Sequence, residues 1–107
     1  PQVTLYTDIV FNGIAIGETH NITCKLMLGD KDVSNGVASW KVTRKTDDSV
    51  DDAAWATKDK VRNFNGSIDI VWSNDGTEDD IGKGDTATFT FTATTTTGKI
   101  HQEYIKV

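Results

Sequence analysis

Cys24 is the one thiol in the sequence, and His20 stands four residues before it. A cysteine becomes a nucleophile when a base lies within hydrogen-bond reach. On one strand face the pair would stand about 13 Å apart, at about 3.3 Å per residue. Nothing in the sequence brings His101 to the thiol either. Cys24 therefore reads as a small buried hydrophobe. A lone cysteine also excludes an internal disulfide and a cysteine-rich metal site.

Two acidic clusters have the chemistry to attract calcium. Asp75, Glu78, Asp79, Asp80 and Asp85 fall within eleven residues, and Asp47, Asp48, Asp51 and Asp52 form a second group. A hard cation takes six to eight oxygens, and neither group has the alternating acid spacing of an EF-hand loop. In the first, five acids against Lys83 leave a charge of −4, and Gly76, Gly82 and Gly84 let the carboxylates splay apart. That stretch is expected to be a mobile, metal-free loop. The second group reads as acid placed at a helix start. No metal and no cofactor is expected.

Trp55, Trp72, Phe64 and Tyr6 are of the type that stacks on sugar rings. The spacing favours packing for Trp40 and Trp72, and a lid over the domain edge for Trp55. Asn21-Ile22-Thr23 and Asn65-Gly66-Ser67 match the N-glycosylation pattern, which recurs by chance in a chain with 16 threonines. There is no Gly-rich phosphate loop, no His-x-x-x-His pair and no Gly-x-Ser-x-Gly elbow. The chain is expected to be non-catalytic.

The 107 residues suit one domain, burying about 65% of the extended chain's surface. Sixteen acids against eleven bases give −5, which argues against nucleic acid or an anionic membrane as a partner. No stretch approaches the roughly 20 apolar residues of a membrane span, so no membrane insertion is expected. The sequence starts at Pro1, and strand-like sequence runs to Val107. This reads as residues 1–107 of a longer, multidomain protein.

The alternation is that of strands with one wet face. Ala87, Phe89, Phe91 and Ala93 alternate with threonines from Thr86 to Thr94. Ile22, Cys24, Leu26 and Leu28 form a second row, Ala38, Trp40 and Val42 a third, and Ile68, Ile70 and Trp72 a fourth. Val3, Leu5, Ile9 and Phe11 share a parity. Ile100 and Tyr104 break parity with Ile105 and Val107, which predicts a bulge between Ile100 and Ile105. Asn-Gly, Asp-Gly and Gly-Lys-Gly turn signals separate the runs. Ser49–Lys58 predicts a short helix, capped by Ser49 and docked through Val50 and Trp55.

Three segments together resemble an immunoglobulin-like domain. Gly17-Glu18-Thr19-His20-Asn21-Ile22-Thr23-Cys24 is similar to that family's turn and second strand. Trp40, sixteen residues after Cys24, stands where the third-strand Trp is expected. Asp85-Thr86-Ala87-Thr88-Phe89-Thr90-Phe91 is similar to Asp-x-Ala-x-Tyr-x-Cys of the sixth strand, with Phe at the Tyr and second Cys positions. The resemblance implies an all-β, two-sheet antiparallel sandwich of about seven strands with one short helix between strands. It implies a core of Cys24, Trp40, Phe89 and Phe91, with Trp40 touching Cys24 and Phe91. The bridge and the tyrosine corner are missing, which resembles bacterial and phage versions, including modules of phage tail and other virion proteins.

The function so implied is a structural or adhesion module of a virion or bacterial surface protein, a spacer or weak binding surface at the virion or outside the cell. Its partners would be neighbouring domains and a cell-surface glycan or protein, met by the loops Gly29–Gly36 and Asp75–Gly84. The alternative is a glycan-binding module of a secreted carbohydrate-active or surface protein, and a third reading is a cell-adhesion receptor domain. Exposed Trp55 and Trp72 rings would favour the glycan binder, buried ones the spacer.

Overall fold

The computed structural model describes residues 3–7, 19–72, 80–81 and 86–106. Among these the chain forms two antiparallel sheets, seven strands in all, packed as a sandwich. Strand β1 is Val3–Thr7, β2 Thr19–Leu28, β3 Lys31–Asp32 and β4 Val37–Lys45. Two helices follow, α1 Ser49–Trp55 and α2 Asp59–Arg62. Then come β5 Ser67–Val71, β6 Thr88–Thr95 and β7 Ile100–Lys106.

The ten-residue β2 organises the first sheet. Its C-terminal half pairs with β1 (Val3↔Leu28 to Thr7↔Cys24), and its last residues turn back onto β3. Its N-terminal half pairs with β5 from Thr19↔Val71 to Thr23↔Ser67. The second sheet has the order β4-β6-β7. Period-2 alternation turns one set of side chains from each sheet inward. Leu5, Ile22, Cys24, Leu26, Ile68 and Ile70 meet Val42, Phe89, Phe91 and Ala93 in one buried cluster.

The outward set of the second sheet is hydrophilic and lies in four ranks. Lys45, Thr88 and Lys106 align, then Thr43, Thr90 and Tyr104, then Lys41, Thr92 and Gln102, then Ser39, Thr94 and Ile100. Every outward position of the central strand is threonine, a β-branched residue suited to a pleated, half-exposed surface.

The structure departs from the sequence expectations at several places. Trp40 is half-buried rather than central. Phe64, from the turn after α2, lies between it and Phe91, with ring centroids 6.2 Å from Trp40 and 5.7 Å from Phe91. Trp40 also covers Gly66, whose φ of +97° disfavours any side chain. The Gly66 carbonyl accepts the Cys24 N–H at 2.7 Å, prolonging the β2–β5 ladder. The bulge expected in the last strand is absent, since β6 and β7 pair without a break from Thr88↔Lys106 to Thr94↔Ile100. Ile100 and Tyr104 simply face solvent, and the register shift falls in β4, between Val37 and Ser39.

The helical segment is two helices rather than one, because Lys58 is extended and breaks the run. Asp48, not Ser49, caps α1, accepting the N–H groups of Val50 and Asp51 at 3.0 and 3.3 Å. Val50 is 76% exposed and Trp55 only 2%. Five residues on a helix span about 140° of rotation, so the two cannot share the docked face. Ile9 and Phe11 lie outside the described residues.

The ranking of core positions is testable. Phe91, fully buried against Phe64, should cost about 3–5 kcal/mol when cut to Ala. Trp40→Ala should cost less, because solvent already reaches that ring. Urea denaturation of the two variants checks the order, and a larger loss at Trp40 would restore it to the centre of the core.

Candidate functional site

Strand β4 continues its inward parity from Trp40 and Val42 to Arg44, so a guanidinium enters the interior. A buried charge is tolerated only when paired and hydrogen-bonded. Arg44 meets this with all three of its nitrogens. Nε donates to Asp52 Oδ1 at 3.1 Å, Nη1 to the Asp80 carbonyl at 2.9 Å, and Nη2 to Asp51 Oδ2. Its guanidinium carbon lies 5.4 Å from the centre of the Trp55 ring, a cation–π distance. Asp51, Asp52 and Trp55 sit three, four and seven positions after Asp48, a spacing that keeps them on one side of α1, turned to β4.

Asp80, 36 positions after Arg44, closes the cluster. It is 1% exposed. Oδ1 accepts the Trp55 indole N–H at 2.6 Å. Oδ2 accepts Lys60 Nζ at 2.6 Å and the Val71 N–H at 2.7 Å. Lys60 donates further to the Asp69 carbonyl at 2.8 Å. The Asp80 and Ile81 N–H groups both reach the Val71 carbonyl, and Ile81 bridges to Trp72 in parallel. β4, both helices, β5 and residues 80–81 are thus joined around one indole, whose other neighbour is Phe89 at 5.7 Å.

The stretch 75–85 reads from sequence as a mobile, metal-free loop, but at Asp80 the chain is instead held in the interior. The Asp80 oxygens already serve an indole, an ammonium and a backbone N–H, and a cation would have to displace Lys60. Asp75, Glu78, Asp79 and Asp85 lie outside the described residues. In the second acidic group Asp48 caps α1, while Asp51 and Asp52 neutralise Arg44. Burial opposes ionisation of Asp52, but the Thr46 N–H, the Thr46 hydroxyl and Arg44 outweigh it and hold the carboxyl below its usual range.

The other chemistry-bearing residues are placed as follows. Cys24 is buried. Trp55 and Phe64 are buried and Trp72 is half-buried, so these three form no exposed platform; the Tyr6 side chain lies outside what is described. On the outer face of β2 and β5, Asn21 Nδ2 donates to Ser67 Oγ and Asp69 Oδ1 at 2.8 and 3.0 Å, which engages the first glycosylation sequence in a cross-strand network. Of the proposed contact loops, Gly29–Gly36 contributes Val33 and Gly36 to an open cleft of about 320 Å³. Leu26, Leu28, Thr95, Lys99 and His101 also line it. Such a volume is at the lower end for ligand pockets.

Sequence reasoning missed Arg44 and the role of Asp80. The parity of β4 carries the signal for Arg44, since a cation on an apolar row demands acids nearby. No local pattern announces which acid of the 75–85 stretch turns inward. Among the described residues no three His, Cys, Asp or Glu side chains converge to hold a metal ion, and no helix is long and apolar enough to cross a membrane. Comparison with protein-family models, curated proteins and solved structures gives no match.

Two outcomes follow for this cluster. Asp80→Ala should cost about 3–5 kcal/mol in chemical denaturation, since it strips the buried partner from Lys60, the indole and the Val71 N–H. A loss under about 1 kcal/mol would mean that the cluster does not hold these segments together. The second concerns pH. Asp52 titrates lower when folded than when unfolded, so the unfolded chain binds the extra proton. Its stabilisation is complete above about pH 4 and is lost as pH falls through the lower folded value. Asp52→Asn should therefore flatten the acid limb of melting temperature against pH below about 4. An unchanged limb would remove Asp52 from the acid response.

Proposed function

We propose that this chain is a non-catalytic immunoglobulin-like module of a phage virion (tail) or bacterial surface protein, serving as spacer and weak adhesive surface. The observation that carries this reading is the strand pairing. β2 lies between β1 and β5 in one sheet, and β4, β6 and β7 form the other. That is the pairing of an immunoglobulin-type sandwich with the helices α1 and α2 in place of its fourth strand. Cys24 on β2 and Phe91 on β6, the two positions a bridge would join, are both in the buried cluster.

The arrangement of polar groups supports a scaffold role. The most elaborate cluster, around Arg44 and Asp80, spends its donors and acceptors on protein partners. Of the two rings that discriminate the readings, Trp55 is buried and Trp72 half-buried, which supports the spacer over a module that stacks neutral sugars. In this reading the module sits at the virion or cell surface, flanked by other domains of the same protein.

In-frame deletion of these residues from the parent protein tests the reading. The parent should still assemble or reach the surface, with weakened attachment to cells. Loss of a hydrolytic activity of the parent on deletion would overturn it. So would calorimetric heats of binding from neutral oligosaccharides on the isolated chain.

A further inference from the structure

The charge of the chain is unevenly placed. Its net value is −5, yet the twelve outward positions of β4, β6 and β7 hold three lysines and no acid. Lys41, Lys45 and Lys106 are all exposed. Among the described residues none of the three is in an ion pair, whereas the inward Arg44 has two carboxylates. The lysines stand on a coarse lattice. Lys45 and Lys106 are two strands apart in one rank, about 10 Å, and Lys41 and Lys45 are four residues apart on β4, about 13 Å. Between them lie threonine hydroxyls and Tyr104, 60% exposed, whose hydroxyl donates to Gln102 at 3.1 Å. Gln102 in turn donates to Thr92 at 3.1 Å.

We propose that this face binds a linear anionic polysaccharide, with Lys41, Lys45 and Lys106 meeting its carboxylate or sulfate groups. The row of Thr92, Gln102 and Tyr104 meets its hydroxyls and ring faces. The inference deepens the adhesive half of the function proposed above and rests on it. Charge complementarity selects an anionic partner, and charge density selects the kind. Duplex DNA carries one charge per about 1.7 Å of axis, which three lysines more than 9 Å apart cannot neutralise. A polysaccharide charged at every sugar or every second sugar offers widely spaced anions and hydroxyls for the rest of the face. The flat, hydroxyl-rich surface has one large aliphatic side chain, Ile100, too little to enter a lipid surface.

The test passes the isolated chain over immobilised chondroitin sulfate and polygalacturonate, with dextran as the neutral control. The expected result is retention on the two polyanions and none on dextran. Affinity should fall by up to about 20-fold between 50 and 200 mM salt, the response to three contacts on a chain less densely charged than duplex DNA. The variant K41Q/K45Q/K106Q should lose at least about tenfold at an unchanged melting temperature, while K25Q/K31Q, on the other sheet, should bind as the parent does. Equal binding by the triple variant would move the site elsewhere. Retention on neither polyanion at 50 mM salt would end the proposal. Tighter binding to duplex DNA, or self-association of the chain that the triple variant abolishes, would replace the polysaccharide with a different occupant. Failure here would leave the deletion result for the whole module standing, because that result does not depend on which face adheres.

Discussion

A guanidinium stands where the alternation of β4 would place a hydrophobic side chain, and much of the structure is arranged to make that tolerable. Leaving a charge unpaired in the interior costs several kcal/mol. Arg44 therefore requires Asp51 and Asp52 nearby, and they can reach it only if α1 begins at its Asp48 cap and lies against β4. That placement brings Trp55 beside the guanidinium and into the interior. The indole N–H then needs an acceptor, which Asp80 supplies, and the Asp80 carboxylate needs the Lys60 ammonium and the Val71 N–H. Each group satisfies one demand and creates the next. The chain of demands ends at Lys60, whose side chain is a third exposed to water.

Such a cluster contributes more to specificity than to raw stability. Replacing buried ion pairs with well-packed hydrophobes is often neutral or stabilising. What hydrophobes would not do is distinguish one docking of α1 from another. The sandwich core beneath it, from Ile22 to Phe91, tolerates several positions for a short helix, since apolar contact is non-directional. A forked guanidinium with fixed acceptors tolerates one. The segment from β4 to β5 has no strand to be held by a ladder, and this directional polar set takes the place of one.

The sheets were readable from sequence because alternation is local. Thr86–Thr94 announces its core face in nine residues, and Phe89, Phe91 and Cys24 are buried as that pattern requires. The misplacements have long-range causes. Trp40 was displaced from the centre by Phe64, 24 positions away and on no strand, which no period could align with it. Val50 and Trp55 were both apolar on a short helix, and the pairing of Asp51 and Asp52 with the distant Arg44 decides which of them faces the core. Asp80 was one of five similar acids, and its inward turn depends on Trp55, Lys60 and Val71. The bulge in β7 was inferred from apolar parity alone. Ile100 and Tyr104 show that apolar residues also populate outward faces, so the parity of an edge strand is a weaker guide than that of a central one.

The two kinds of cation on the second sheet divide by chemistry. Arg44 points inward, where a planar fork can satisfy fixed acceptors and stack on an indole. Lysine points outward, where a hydrated point charge on a flexible stem remains in water. β4 carries both, with Arg44 between Thr43 and Lys45, and the pleat sends them to opposite faces. A slip of one residue in the β4–β6 register would expose Arg44 and bury Lys41 and Lys45, so packing and surface charge are fixed by the same alternation. The inward cation forces Asp51, Asp52 and Asp80 toward the interior side of the sheet. Among the described residues these acids are engaged with Arg44, Trp55 and Lys60, and the outer lysines are in no ion pair. The same pleat therefore keeps the buried arginine with its acids on one side of β4 and the hydrated lysines on the other.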